Sequence, residues 1–547
     1  MNAPAAHTID RSEYDAFANR HEELKQNRLP HEPSWGEIGD FVATPLNTHP
    51  ISRGDFQTPR ARIDGTARIG AQRLQAMLNG YLFNPFTPYF KARVVDHRLR
   101  HEDRVYLGEV DRRMHHMMSG ARSPFRVAMG RALYNTVAWG NSSLWLGAIK
   151  NGQINTSTIS VMDAWVDHDP QTQRSDTMFR QFRLSAWRAA KNYPASTTLQ
   201  EVAAKNPQTQ LTFVQAIEPN MGGKVGGGKA RKPFIEKTWY LEGRERVDVQ
   251  GYDEYPATHL RFYRFDNDAY GYGPGLEVLP WSKLIHAIEN NNLTAEEQAV
   301  NPTLLDFSNG VIDHKDRRPG VTIGVDQNAL FGIQKPLTRL YDPVDLRPSY
   351  QRVENLRTQI QQAFFTDWLT PRESGTQTAT EVNDRRDVRL KAMAGIVSGM
   401  EHDFNMIGER VFLQMDRAGM FPEAPEGLHG QDIVFDFISP LAMAQQQGEV
   451  EKLMSFLQVV ATAVPVDAMA GKVPDVIELV REAGRALGIK EELIHSQEFL
   501  DQAVKAAQDD EAAAREAEYA QSAAGVLRDG GQGAASLLNS NALQALQ

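Results

Sequence analysis

From Gly271 to Met420 the spacing of apolar residues predicts a helix, a compact β-rich insert, a second helix, a polar loop and one long helix. The Gly/Pro break Gly271-Tyr-Gly-Pro-Gly275 closes a strand-rich region, and Pro280 opens an amphipathic segment reaching about Val300. On that segment Trp281, Leu284, Ile285, Ile288, Ala295 and Ala299 share one face, while Lys283, His286, Glu289 and Glu297 lie elsewhere. From Pro302 to Pro343 short strands and turns are expected. Helical spacing returns from Val344 to Trp368, where Val353, Leu356, Ile360 and Phe364 recur on one face. Thr370-Pro-Arg-Glu-Ser-Gly-Thr-Gln-Thr-Ala-Thr380 is too rich in Gly, Ser and Thr for a regular element. Glu381 to Arg417 contains no proline, and Met393, Ile396, Met400, Phe404, Ile407, Val411 and Met415 make a continuous stripe. At ~1.5 Å per residue this helix spans ~55 Å, too long for one compact core and suited to a strut between neighbours. Two helices around a small module, then a loop into a third helix, can line a long passage.

Elsewhere the pattern is mixed. Residues 1–50 read as a polar arm with short helices, and Ile63 to Leu82 as a helix carrying Ile69, Leu74, Met77 and Leu78. Asn84 to Val94 is an extended, aromatic-rich run holding two prolines. Asp96 to Met118 and Pro124 to Trp139 are expected helices, the second stopped at Gly140-Asn141. Leu144 to Lys150 and Ile159 to Val166 are strand-like, Gln181 to Asn192 is helical, and Leu211 to Ile217 pairs with Phe234 to Leu241 as a hairpin. Ile433 to Ile438 reads as a strand, followed by helices near 442–464, 476–487 and 498–520. The tail after Gln521 has too little apolar bulk to order itself.

Bulk properties narrow the function. A chain of 547 residues with 41% hydrophobic and 23% charged residues should fold into more than one unit. With no cysteine there are neither disulfides nor thiolate metal sites. No signal peptide or membrane span is recognisable, so a soluble chain with no membrane partner is expected. The net charge of −10 argues against tight gripping of DNA phosphates, though not against a conduit, where tight binding would be a fault.

Catalytic patterns fail their context tests. Gly223-Lys-Val-Gly-Gly-Gly-Lys229-Ala230 has the spacing of a phosphate loop but ends in Ala, and a strand is expected after it in place of a helix. Gly271-Tyr-Gly-Pro-Gly275 is interrupted by proline and lies outside any βαβ unit. His97, His101 and His115-His116 lack the convergent partners of a metal site. No catalytic set, cofactor site or metal site is assigned. Two basic clusters stand out: His314-Lys315-Asp-Arg317-Arg318 in the insert, and Arg385-Arg386, Arg389 and Lys391 early in the long helix. Asp384 and Asp387 interleave with the second cluster, as local ion pairing would require.

Several local signatures together resemble the head-to-tail connector, or portal, proteins of short-tailed bacteriophages. They are Asp64-Gly-Thr66, Trp139-Gly-Asn141-Ser-Ser-Leu-Trp145, Tyr270-Gly-Tyr-Gly-Pro-Gly275 and Gln377-Thr-Ala-Thr-Glu381-Val with Arg385 close behind, in an order spanning roughly residues 60–440. The resemblance implies an α+β, mainly helical portal-type fold with wing, stem, clip and crown regions, assembled as a closed, dodecameric ring. Residues 1–60 would form an arm, 61–278 the α/β wing, 279–301 and 345–368 the two stem helices, and 302–344 the clip. Residues 369–380 would be the tunnel loop, 381–440 the long wing helix and its strand, 441–520 the crown and 521–547 a flexible tail. Such a ring occupies a capsid vertex in the virion and is assembled in the host cytoplasm. Its partners would be further copies of itself, the terminase large subunit, tail adaptor and tail proteins, major capsid and scaffolding proteins, and the double-stranded DNA in transit. Lys283, Arg372, Thr376, Thr378, Arg385, Arg386 and Arg389 become channel candidates, and His314, Lys315, Arg317 and Arg318 candidates for terminase or adaptor contact. The family is not enzymatic. The alternatives are a nucleotide-hydrolysing packaging enzyme built on the 223–230 loop, or another virion protein such as a tail adaptor.

Overall fold

A computed structural model describes residues 11–43, 64–94, 99–120, 123–150, 152–220, 232–265, 268–306, 322–324, 337–339, 345–366 and 379–438, with scattered positions from 452 to 506. Chain order begins with α1 (Arg11–Arg28), α2 (Glu32–Phe41), α3 (Thr66–Leu82), β1 (Phe90–Val94), α4 (His101–Ser119), α5 (Phe125–Trp139), β2 (Asn141–Lys150), β3 (Gln153–Ile159) and β4 (Ala164–His168). It continues with β5 (Ser175–Ser185), α6 (Ala186–Asn192), α7 (Thr197–Lys205), β6 (Gln210–Pro219), β7 (Phe234–Tyr240), β8 (Glu245–Tyr252), β9 (Ala257–Arg261), β10 (Tyr263–Arg264) and β11 (Gly271–Tyr272). It closes with α8 (Pro274–Val300), β12 (Leu304–Asp306), β13 (Thr322–Gly324), β14 (Leu337–Arg339), α9 (Arg347–Ala363), α10 (Ala379–Arg417) and β15 (Ile433–Phe437). Among the described residues no helix is long and apolar enough to cross a membrane.

Two units are distinguished. The first comprises residues 1–95, 109–423 and 431–444; the second comprises 96–108, 424–430 and 445–547. In the second, Asp103 is 1% exposed and its Oδ2 accepts from the Arg100 N–H at 2.9 Å. Helical positions in the same unit are described at 452, 455–456, 458–459, 479–481, 483–484, 499–500, 502 and 505–506.

The two larger sheets of the first unit are antiparallel, and burial alternates cleanly along few of their strands: all five residues of β9 are buried. Strands β4 to β8 form an antiparallel meander in sequence order, and β2 sits between β3 and β9 in a second antiparallel sheet. The expected hairpin is present as β6–β7, in register from Phe213↔Tyr240 to Pro219↔Phe234. The expected helix over Gln181–Asn192 is half wrong. Gln181 to Ser185 extend β5 and pair with β6, and the helix starts only at Ala186. Phe182 and Leu184 point alternately with Gln181 and Arg183, a strand rhythm too short to separate from the helical one that follows. The expected strand Ile159–Val166 is broken as well: Ser160 accepts from the Met162 N–H and caps a tight turn over Val161–Asp163 before β4 begins.

The polar arm is part of the core. Helix α1 lays Phe17 and Leu24 onto Trp165, Phe179, Val214 and Trp239 of the meander, and Phe17 stacks on Trp239 at 4.8 Å between ring centroids. Arg28, 3% exposed, donates to the carbonyls of Val161, Met162 and Ala164 and stands 4.3 Å over the Trp165 ring. Hence α1, the described start of the arm, is fixed by aromatic packing and one buried guanidinium.

Along α10 the expected stripe is observed wherever side chains are described: Met400, Phe404, Ile407, Val411 and Met415 are buried, with Val397. At ~1.5 Å per residue its 39 residues reach ~58 Å. Asp403, 1% exposed, binds Arg264 at 2.8 Å and Arg261 at 3.4 Å, and Arg410 donates to the carbonyls of Leu146 and Glu254. These buried charges fix α10 against β2, β9 and β10.

Phe17→Ala should cost roughly 3–5 kcal/mol of packing at that site. The check is limited proteolysis: cleavage within 11–28 should appear well below the global unfolding temperature, whereas the unsubstituted chain resists there.

Candidate functional site

The helix–insert–helix segment is held by polar contacts. In α8 the amphipathic reading misplaces both the start and the face. Pro274 takes the first helical position, where its missing N–H costs nothing, and Pro280 falls inside the helix. The buried residues include Val278, Leu279, Ser282, Ile285, His286 and Asn292; of the expected face Ile285 is buried, Trp281, Ile288 and Ala295 are half-buried, and Leu284 and Ala299 are exposed. Leu284, Leu293 and Val300 stand 37%, 51% and 78% exposed. The reason is chemical pairing: Ser282 donates to the Phe41 carbonyl at 3.0 Å, Asn292 Oδ1 accepts from Ser349 at 2.7 Å, and Tyr350 donates to Glu296.

Helix α9 runs antiparallel to α8, since Glu296 meets Tyr350 while Glu289 meets Arg357. Its expected face is correct, with Val353, Leu356, Ile360 and Phe364 all buried. Arg357 lies within that apolar stripe and was not singled out from sequence, although a cation at a core position of an amphipathic helix is a visible signal. Its Nε donates to Asp64 at 2.8 Å, one Nη to Glu289 at 2.9 Å and the other to Glu354 at 2.5 Å. Asp64 also accepts from the Thr66 N–H at 2.8 Å, at the start of α3. The Asp64-Gly-Thr66 signature is therefore the point where α3 meets both helices of the pair.

The two other described signatures meet each other. Asn141 Nδ2 donates to the Gly271 carbonyl at 2.7 Å and its Oδ1 accepts from the Gly271 N–H at 2.7 Å, a two-bond clasp between β2 and the turn before α8. Gly140 has φ +79, and a Cβ there would lie 2.4 Å from the Tyr272 carbonyl carbon, so only glycine permits the approach. A Cβ on Gly275 would lie 1.9 Å from the Ala138 carbonyl oxygen. His259 Nε2 donates to Asn141 Oδ1 at 3.3 Å, and its Nδ1 accepts from Ser143 at 3.0 Å. Burial pushes His259 down to about 3, with Arg261 and Arg264 adding to the effect, so the ring stays neutral in this clasp. Tyr270 Oη accepts from the Val166 N–H at 3.1 Å.

The insert is a small sheet in which β12 pairs parallel to β13 and antiparallel to β14. The contact candidates His314, Lys315, Arg317 and Arg318 lie outside the described residues, as do the channel candidates Arg372, Thr376 and Thr378. Arg385, Arg386 and Arg389 are on the first turns of α10, where side chains are not described. Lys283 is on the outer surface of α8 and pairs with Glu37 at 2.7 Å. The tip 221–231 containing the Gly-Lys pattern lies outside the described residues, but strand β7 follows it, so the helix N-terminus that a phosphate loop needs is not supplied next in the chain. His115 Nε2 donates to the Pro85 carbonyl at 2.9 Å, a structural role.

Arg357→Met, Asp64→Asn and the double variant form a cycle that measures the pin. A coupling of about 1–3 kcal/mol in chemical denaturation is expected; additive effects would reduce Arg357 to a surface cation.

The sequence profile described as bacteriophage head to tail connecting protein matches residues 14–494. A probable portal protein of Bordetella phage BPP-1 is 22% identical over 453 residues, covering 80% of each chain. The portal protein of Salmonella phage epsilon15 is 20% identical over 443 residues, covering 78% of each. Among solved structures, a chain from the neck of an empty GTA particle, computed with C6 symmetry, aligns with TM-score 0.32 and 9% identity over 70% of this chain and 86% of that one. The match spans most of the chain and encloses the α8–insert–α9–α10 order: the chain belongs to the bacteriophage head-to-tail connecting protein family.

Proposed function

We propose that this connector works as a closed ring of twelve copies at one capsid vertex, a channel through which terminase drives DNA in and the genome later leaves. The observation that carries this reading is the order α8, three-stranded insert, α9, α10, joined to the wing by the Asn141 and Arg357 contacts. Helices α8 and α9 stand beside the channel as the stem, with residues 302–344 as the clip that meets the terminase large subunit and then the tail adaptor. Residues 369–380 form the tunnel loop, and 441–520 the crown. Capsid and scaffolding proteins meet the ring from outside. Leu284, Leu293 and Val300 are exposed on α8 in the single chain and suit a neighbouring copy, since a ring repeats one heterologous contact. The chain contributes no catalysis of its own; the motor's chemistry belongs to the terminase.

The charge balance fits a conduit. Each strong phosphate contact would be repeated around the ring, and retention would become strongly salt-dependent. A net charge of −10 per chain, with Arg372, Arg385, Arg386 and Arg389 near the loop, guides a duplex through weak repulsion and brief contact.

In-frame deletion of Ser374–Gln377 should leave ring assembly intact in native mass spectrometry and lower the DNA retained per filled particle. Loss of rings would make the loop a structural joint, and normal packaging would remove it from DNA handling.

A further inference from the structure

The turn between Asn84 and Pro88 holds Phe86 outward at 90% exposure. This turn is braced. Asn84 Oδ1 accepts from the Phe86 N–H at 3.0 Å, and the Pro85 carbonyl accepts from His115. On either side, Phe83 and Tyr89 are each 1% exposed and both pack on Phe125. Val127, near that ring in sequence, is 63% exposed. Lys91 and Arg126 are exposed in the flanking elements, with no ion pair to a carboxylate among the described residues. The result is an exposed aromatic knob on a braced turn, with Lys91 on the strand that follows it and Arg126 on the helix beneath its base.

A cavity of about 450 Å³ opens beside α10, lined by Phe234, Tyr255, Met406 and Leu413 with Asp169 and Asp176 among its polar residues. Its other acids are paired: Glu409 with Arg174, Glu254 with Arg410, and Asp253 with Lys232. Asp169 and Asp176 have no lysine or arginine ion pair among the described residues, so the mouth keeps negative charge. The volume suits an aromatic side chain and the turn that carries it, at the small end of the range of binding pockets.

The two features lie on opposite sides of one helix. Phe404 is 5.5 Å from the Phe83 ring, and a Cβ on Gly408 would lie 2.8 Å from the Phe90 ring, so this side of α10 faces the knob's base. Met406, Glu409 and Leu413 line the cavity. Phe404 and Met406 are separated by roughly 200° around the helix axis. A self-complementary pair on opposite flanks of one chain cannot close within that chain, and it is what a head-to-tail ring contact requires.

We propose that Phe86 of one copy seats in the α10 cavity of the next, with Lys91 and Arg126 facing Asp169 and Asp176. This contact rests on the ring reading above and specifies where neighbouring wings meet. Because Phe86 is exposed, Phe86→Ala should leave the chain's thermal unfolding unchanged while raising the concentration needed for ring formation at least about tenfold. The chain has no cysteine, which makes cross-linking unambiguous. Chains carrying Phe86→Cys mixed with chains carrying Thr172→Cys should give an oxidised dimer, and neither variant alone should. No ring from the unsubstituted chain would overturn the ring reading and this contact together. Rings from Phe86→Ala at unsubstituted concentrations, or no cross-link in the mixture, would overturn the contact alone.

Discussion

The rest of the molecule depends on how two helices are pinned to the wing. A helix pair carrying a small sheet at its far end is a lever; interlocked apolar side chains set how its helices cross, and directional polar contacts at its root add to that. Arg357 supplies them. Its planar fork reaches Asp64 at the root of α3, Glu289 on α8 and Glu354 on its own helix, and each bond fixes a direction as well as a distance. Side-chain exposures of 31% for Arg357 and 7% for Asp64 place the contact between water and core, where removing one partner leaves the other poorly solvated.

The second anchor is made by backbone. Asn141 clasps both polar groups of Gly271, and Gly140 and Gly275 allow main chains to approach within a distance that any side chain would block. The turn leading into α8 is thereby fused to the end of α5. Pinned at its start by this clasp and at mid-length by Arg357, α8 holds its exposed apolar residues in a set orientation, Leu284 on one flank and Leu293 with Val300 about 180° around the axis on the other. This is what a repeated contact between neighbouring copies needs.

The sequence was legible where one force dominated. The face of α9 and the α10 stripe from Met400 to Met415 are apolar, periodic and buried as expected, because those faces meet their neighbours through hydrocarbon. On α8 most of the expected apolar face stays out of the core because Ser282 and Asn292 face inward for hydrogen bonds while Leu284 and Leu293 are exposed; hydropathy encodes neither choice. Gln181 to Ser185 misled because a strand ran directly into a helix without a turn residue between them. The signatures Asp64-Gly-Thr66, Gly140-Asn141 and Gly271–Gly275 are visible in the sequence, but Asn141 and Gly271 are 130 residues apart and Asp64 and Arg357 are 293 apart. Arg357 left a local clue, a guanidinium within an apolar stripe. The basic clusters at 314–318 and 385–391 are legible only as composition.

A cryo-electron microscopy reconstruction of the purified, assembled chain tests the central claim most directly. The account predicts a closed ring with α8 and α9 side by side around an open central channel, the exposed apolar residues of α8 against neighbouring copies and Arg357 still joined to Asp64 and Glu289. A closed assembly with no channel, or one in which Leu284 and Leu293 face solvent while another surface makes the contact, would contradict it.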